Sequence, residues 1–178
     1  MLRNLDKPIA LGSSKADCIE SSLVLSGKLG KVSLPIPNSV SCHLIGDGLV
    51  VKSELVSGKM AMVGTFIALA KQALLGVSQG HTRIVNFTGT GASVKVGQGQ
   101  LEMKLGKSHT VFKTIPEDIK CTIESSDIRQ TKLKVFGISD QKVGQFASEL
   151  RIKRVYKGGI HAWIEGDKVF IKKRKGAK

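Results

Sequence analysis

The sequence predicts an α+β fold: a tandem duplication of two small domains, each an antiparallel β-sheet with one helix packed on a face. Three observations lead there. Residue patterns recur at a nearly constant offset, apolar residues alternate with polar ones in short runs, and two segments carry apolar residues at helical spacing.

The repeat is the strongest of the three. Ile36, Pro37 and Cys42 recur as Ile115, Pro116 and Cys121, an offset of 79. Leu29-Gly30-Lys31 precedes the first copy and Leu105-Gly106-Lys107 the second. Val63, Gly64 and Phe66 recur as Val143, Gly144 and Phe146 at an offset of 80, and Gly80 matches Gly159. The order is preserved while the spacing drifts by a few residues. Two copies fall short of a solenoid array. The reading is therefore a first domain at 1–81, a second at 82–171 and a basic tail at 172–178.

The elements follow in chain order. Strands are expected at 19–25 and 31–34. Val40, Cys42 and Leu44 alternate with Ser41 and His43, the period of a strand with one buried face. Another strand is expected at 48–52. Val63, Phe66, Ile67 and Ala70 fall at i, i+3, i+4 and i+7, the inward stripe of a helix. That helix is apolar nearly all round, so cover on more than one side is expected. In the second half, strands are expected at 82–87, 93–96, 100–105, 109–114 and 132–136. Ile119, Cys121 and Ile123 alternate with Lys120, Thr122 and Glu124 as a further strand. Glycines at 27, 30, 46, 48, 89, 91, 97, 99 and 106 punctuate these runs as turns. Val143, Phe146, Ala147 and Leu150 form a second helical stripe, capped by Ser139 or Asp140. A last strand pair, IHAWIEGDKVFIKK, turns at Gly166-Asp167.

Charge points to a partner. The 178 residues carry 28 cations against 14 acids, a net +14. An excess of that size is held by something anionic: nucleic acid, a membrane surface or an acidic protein. It is unevenly placed, for beyond position 150 ten cations face only Glu165 and Asp167. The apolar run at 60–70 reads as too short to cross a bilayer, so a membrane is not expected as partner. Cys18, Cys42 and Cys121 are odd in number and form no CxxC pair, which suits a reducing compartment and no disulfide framework. No secretory signal is visible, and the first 15 residues make a poor transit peptide.

Enzymatic signals fail one by one. Ser108 and His109 are neighbours, and neighbours on a strand point to opposite faces. GTGASVKVGQG at 89–99 holds two GxG pieces, but a phosphate cradle needs a helix directly after its glycines. Alternating strand residues follow here, so these are hairpin turns. His43, His81, His109 and His161 lack metal-ligand spacing. Cys42 and Cys121 hold twin inward positions, where a thiol packs as a small hydrophobe. No cofactor, metal or catalytic residue is expected.

The basic segments pass a different test. After Leu150 the helical stripe ends and RIKRVYKGG follows. Arg151, Lys153, Arg154 and Lys157 supply positive charge. Gly158 and Gly159 let backbone N–H groups approach phosphate oxygens. Tyr156 can stack on a base or sugar. Lys172, Lys173, Arg174 and Lys175 close the chain's last strand pair. This is the footprint of polyanion binding. Roughly five phosphate contacts would give a log–log salt slope of about −4.

LGKSHTVFKTIPEDI at 105–119, DQKVGQFASELRIKR at 140–154 and YKGG at 156–159 resemble the signature of the large-subunit ribosomal protein L-six family. GTFIALAKQALLGVSQG at 64–80 and VNFTGTG at 85–91 are similar to that family's domain junction; the first 55 residues match weakly. The resemblance implies two related α+β domains and a structural, non-catalytic role. It implies binding to large-subunit ribosomal RNA, mainly by the second domain, near the sarcin–ricin loop and the stalk base. Neighbouring large-subunit proteins, and transiently translational GTPases, are the implied company. The family's RNA-contacting loop carries over as Arg151, Lys153, Arg154, Tyr156, Lys157, Gly158 and Gly159, with Lys172, Lys173, Arg174 and Lys175 a looser transfer. The loop departs from the family's RxPEPYKGKGI pattern: KRVYKGGI lacks the Pro-Glu pair and one lysine. Such trimming suits a diverged RNA, so a mitochondrial ribosome is expected, with a bacterial cytoplasm or a plastid as the alternatives. A free nucleic-acid-binding or protein-interaction module using the same basic face is the alternative function.

Overall fold

A computed structural model describes residues 8–12, 14–19, 21–38, 40–45, 48–53, 60–89, 91–105, 109–127, 129–151 and 160–166. The chain divides into two compact units, one of residues 1–81 with 137–142, the other of 82–136 with 143–178. Each is α+β.

The first unit holds β1 (Ile9–Ala10), β2 (Lys15–Ile19), β3 (Ser22–Ser26), β4 (Lys31–Pro35), β5 (Val40–Ile45), β6 (Gly48–Ser53) and helix α1 (Met60–Ser78). Its strands fall into two antiparallel sheets, ordered β2-β3-β4 and β1-β6-β5. The expected strand at 19–25 is met by β3 at Ser22–Ser26, while its first residue closes β2 on the far side of a reversal. Ile19 pairs with Ser22, so β2 ends and β3 begins across two residues that carry no glycine or asparagine. Leu23 and Leu25 point inward and are fully buried, because alternation puts them on one face.

Helix α1 buries one main stripe against the sheets. Val63, Phe66, Ala70, Ala73 and Leu74 join the core with Leu23, Leu25, Leu49 and Val51, while Met62 and Leu75 stay exposed. Cover on more than one side was expected: the sheets take this one stripe along most of the helix, and near the C-terminus Gly76, on another side, is buried against Ile138. The helix is 19 residues long. Its window Ala61–Ser78 has the length and mean hydropathy of a membrane span, yet the buried stripe makes it the core helix of this unit. Near its C-terminus the fit is close. Leu29 N–H donates to the Val77 carbonyl, and a Cβ on Gly27 would sit 2.6 Å from that same oxygen. On Gly76 a Cβ would overlap the carbonyl oxygen of Ile138, in the 137–142 segment.

The second unit holds β7 (His81–Thr88), β8 (Ser93–Val96), β9 (Gln100–Lys104), β10 (Val111–Thr114), β11 (Ile119–Ser126), β12 (Gln130–Gly137), helix α2 (Asp140–Leu150) and β13 (His161–Ile164), with β7, β12 and α2 beginning or ending in the segments shared with the first unit. The sheets run β10-β9-β8 and β11-β12-β7-β13. Val143, Phe146, Ala147 and Leu150 of α2 are buried, as their spacing requires, against Val85, Phe87, Leu133, Val135 and Ile164. Fully burying a side chain of this size contributes about 1.5–3 kcal/mol.

The repeated sequence makes repeated geometry. Val40 N–H donates to the Pro37 carbonyl at 2.9 Å, and Ile119 N–H to the Pro116 carbonyl at 3.0 Å. Ile36 and Ile115 each donate a backbone N–H at 2.8 Å, to Ser21 and Gly99. Both Ile-Pro turns thus launch the strand that bears Cys42 or Cys121. The alternation on those strands fades outward: Leu44 and Ile123, expected inside, are 43% and 39% exposed. Each lies farther along its strand, past the end of the covering core.

Candidate nucleic-acid interface

The basic loop expected from the sequence begins where α2 stops. Leu150 is 3% exposed and closes the helix's buried stripe. Arg151 N–H still bonds the carbonyls of Ala147 and Ser148, at 3.1 and 3.3 Å, and its side chain is exposed. A cation there also suits the negative end of the helix dipole. The chain re-enters the core at Ile160, fully buried, and continues as β13 against β7. Glu165 N–H then donates to the Ile84 carbonyl at 2.8 Å, and Gly166 takes a positive φ of 94° in the turn. Core residues Leu150 and Ile160 thus stand on either side of the segment that carries the basic residues. Of the expected contact residues, Arg151 is placed by the structure. Lys153, Arg154, Tyr156, Lys157, Gly158, Gly159, Lys172, Lys173, Arg174 and Lys175 lie outside the described residues, as does the second strand of the last hairpin.

Glu149, in the last turn of α2, is engaged. It accepts from Lys113 Nζ at 2.6 Å and from the Gln145 amide at 3.2 Å. These two hydrogen bonds, Lys113 first, hold its carboxyl below the usual range.

The other candidate chemistries find no support among the described residues. No group of three or more His, Cys, Asp or Glu gathers as metal ligands. Burial pushes the Cys42 and Cys121 thiols up to about 11, for Cys42 with a smaller contribution from nearby Cys18, so both are protonated and unreactive near neutrality. The glycine-rich stretch after β7 leads into strand β8, with positive φ at Gly89, Gly91 and Gly99, and no helix follows it. Ser108 lies outside the described residues.

The strand expected at 132–136 carries cations on one of its two faces. Strand β12 alternates buried Thr131, Leu133 and Val135 with half-buried Gln130, Lys132, Lys134 and Phe136. The period of two that sends Leu133 and Val135 inward assigns Lys132 and Lys134 to the opposite face.

The family model "Ribosomal protein L6" matches residues 88–155. It therefore covers α2 and the loop through Arg151, Lys153 and Arg154, and stops before Tyr156. "Large ribosomal subunit protein uL6" of Novosphingobium aromaticivorans is 32% identical over 175 residues, 95% of this chain and 96% of its own. The protein of that name from a Hydrogenobaculum species is 32% identical over 177 residues, 96% and 94% of the two chains. That of Thioalkalivibrio sulfidiphilus is 36% identical over 163 residues, 89% and 90%. These relatives are bacterial and lend no support to the mitochondrial expectation. With whole-length relatives at this identity, two α+β units and the repeated Ile-Pro turn, the chain belongs to the uL6 family of large-ribosomal-subunit proteins.

Proposed function

We propose that this chain is a structural, non-catalytic constituent of the large ribosomal subunit that grips large-subunit rRNA through the basic end of its second unit. One observation carries the reading: relatives named as large-subunit proteins align along nearly the whole chain, and this chain places ten cations against two acids beyond position 150. The division of labour follows the repeat, with 1–81 as the first domain, 82–171 as the RNA-binding domain and 172–178 as an added run of charge. Arg151, Lys153, Arg154 and Lys157 neutralise phosphates, each releasing condensed counterions. Tyr156 stacks on a base or sugar, and the backbone of Gly158 and Gly159 approaches the phosphates closely. Lys172, Lys173, Arg174 and Lys175 extend that grip. The site on the subunit is the sarcin–ricin and stalk-base region, beside other large-subunit proteins and within reach of docking translational GTPases.

Sedimentation tests it. The tagged protein is expected to travel with large subunits in moderate salt. Lys153→Glu, Arg154→Glu and Lys157→Glu together are expected to release it at lower salt, with the affinity–salt slope flatter by about 0.9 per lost phosphate contact. An intact protein spread over all fractions would favour a free binding module instead. An unchanged slope in the triple variant would mean that these side chains face water.

A further inference from the structure

The four-stranded sheet of the second unit has another face, turned away from the core. Strand β13 pairs with β7 so that Ala162 meets Phe87 and Ile164 meets Val85 on the core side, while Trp163 meets Asn86 and His161 meets Thr88 on the outer side. Directly opposed residues share a face and interact. On β12, the strand on the other side of β7, Leu133 and Val135 go to the core, so Lys132 and Lys134 have outer parity. Across three strands the outer face thus runs from an indole, through an amide, to two ammonium groups. Trp163 and the lysines lie two strand spacings apart, about 10 Å. A nucleobase and its own phosphate lie closer than that, and the flexible four-carbon stem of lysine covers the difference. No acid on β7, β12 or β13 shares this face.

Asn86 supplies an independent observation. It is 4% exposed, and its Oδ1 has no hydrogen-bond partner. A buried acceptor without a donor needs a reason. The oxygen is covered, so a ligand's donor reaches it only when that cover gives way.

We infer that this outer face binds an unpaired RNA nucleotide. Its base stacks on Trp163, its phosphates meet Lys132 and Lys134, and a donor on the base edge or the ribose 2′-hydroxyl satisfies Asn86. Stacking on aromatic side chains is how single-stranded bases are held, whereas a duplex hides its base faces. The inference rests on the RNA-binding reading above but uses none of its residues.

Trp163 is the chain's one tryptophan, so its emission reports on this face directly. The full-length protein is titrated with a short oligo(A) strand and with an RNA duplex of equal length, following tryptophan emission and the anisotropy of labelled RNA. The single strand is expected to quench emission saturably and the duplex to leave it unchanged. Trp163→Ala is expected to weaken oligo(A) binding about 5- to 150-fold, the worth of one base–aromatic stack, and Trp163→Phe to keep most of it. Lys132→Gln with Lys134→Gln, which leaves the core intact, is expected to flatten the salt slope by about 0.7 per lost phosphate and decides the matter if Trp163→Ala fails to fold. Oligo(A) that binds with unchanged emission and ignores these variants would overturn the inference while leaving the rRNA reading standing. Failure of both RNAs to bind would remove both. Quenching by oligo-glutamate but not by oligo(A) would make this a protein-docking face and overturn it too.

Discussion

Replacing Gly76 by alanine sets two forces of known size against each other. In a helix interior alanine is favoured over glycine by about 1 kcal/mol. At Gly76 the new Cβ would run into the carbonyl oxygen of Ile138 and come within 3.1 Å of the His81 ring. A backbone carbonyl cannot swing aside as a side chain does, and forcing extra volume into a packed site costs about 1–3 kcal/mol. Pushing the 137–142 segment away would also disturb His81, whose Nε2 lies 3.0 Å from the Gln72 carbonyl and whose Nδ1 lies 3.8 Å from Asp140. A net loss of up to about 2 kcal/mol follows, a fall of up to roughly 10 °C in the melting temperature of a unit this size. Gly64, on the same helix, has nothing within 4 Å of a Cβ, so Gly64→Ala is expected to gain about 0.5–1 kcal/mol. Differential scanning calorimetry of the two variants decides. If Gly76→Ala stabilises as much as Gly64→Ala, the Ile138 carbonyl does not lie against α1 and the reasoning fails.

Phe146→Asp puts a carboxylate where the side chain is 3% exposed, a cost of several kcal/mol, and is expected to unfold the second unit, read as a red shift of Trp163 emission; a native spectrum would refute the core assignment. Cys42 and Cys121 are expected to resist iodoacetamide at pH 8 in the folded protein and to react faster as pH climbs toward 11. Because their folded values are raised above the ordinary 9.0, the stability they contribute is whole below that pH and drains away up to about 11, so the urea midpoint should fall across that window. Lys113→Ala is expected to raise the Glu149 carboxyl toward its ordinary value, followed by carboxyl NMR shifts, with stability close to the parent because the pair is exposed.

Helix α2 was legible because its stripe is clean: apolar at 143, 146, 147 and 150, polar between. The Ile-Pro turns were legible because the chain writes them twice. What stayed hidden lacked a local signature. Strand β2 reads KADCI, with Ala16 its one buried residue, and exists because it pairs with β3. The hairpin at its end turns without glycine or asparagine, so nothing in the letters announced it. The exposed apolar side of α1 and the outward drift of Leu44 and Ile123 depend on where neighbouring layers end, which a one-dimensional pattern does not encode. At the candidate site, the basic loop was visible from composition, whereas the pairing of Trp163 with Asn86 appears only once the register of β7 and β13 is known.

Crosslinking inside the assembled particle bears most directly on the central claim. Large subunits containing this protein are irradiated and its peptide–RNA adducts mapped by mass spectrometry. The account expects adducts concentrated at residues 151–175 and joined to large-subunit rRNA. A protein that stays in the subunit yet forms its adducts only through the first unit, with 151–175 unmodified, would contradict it.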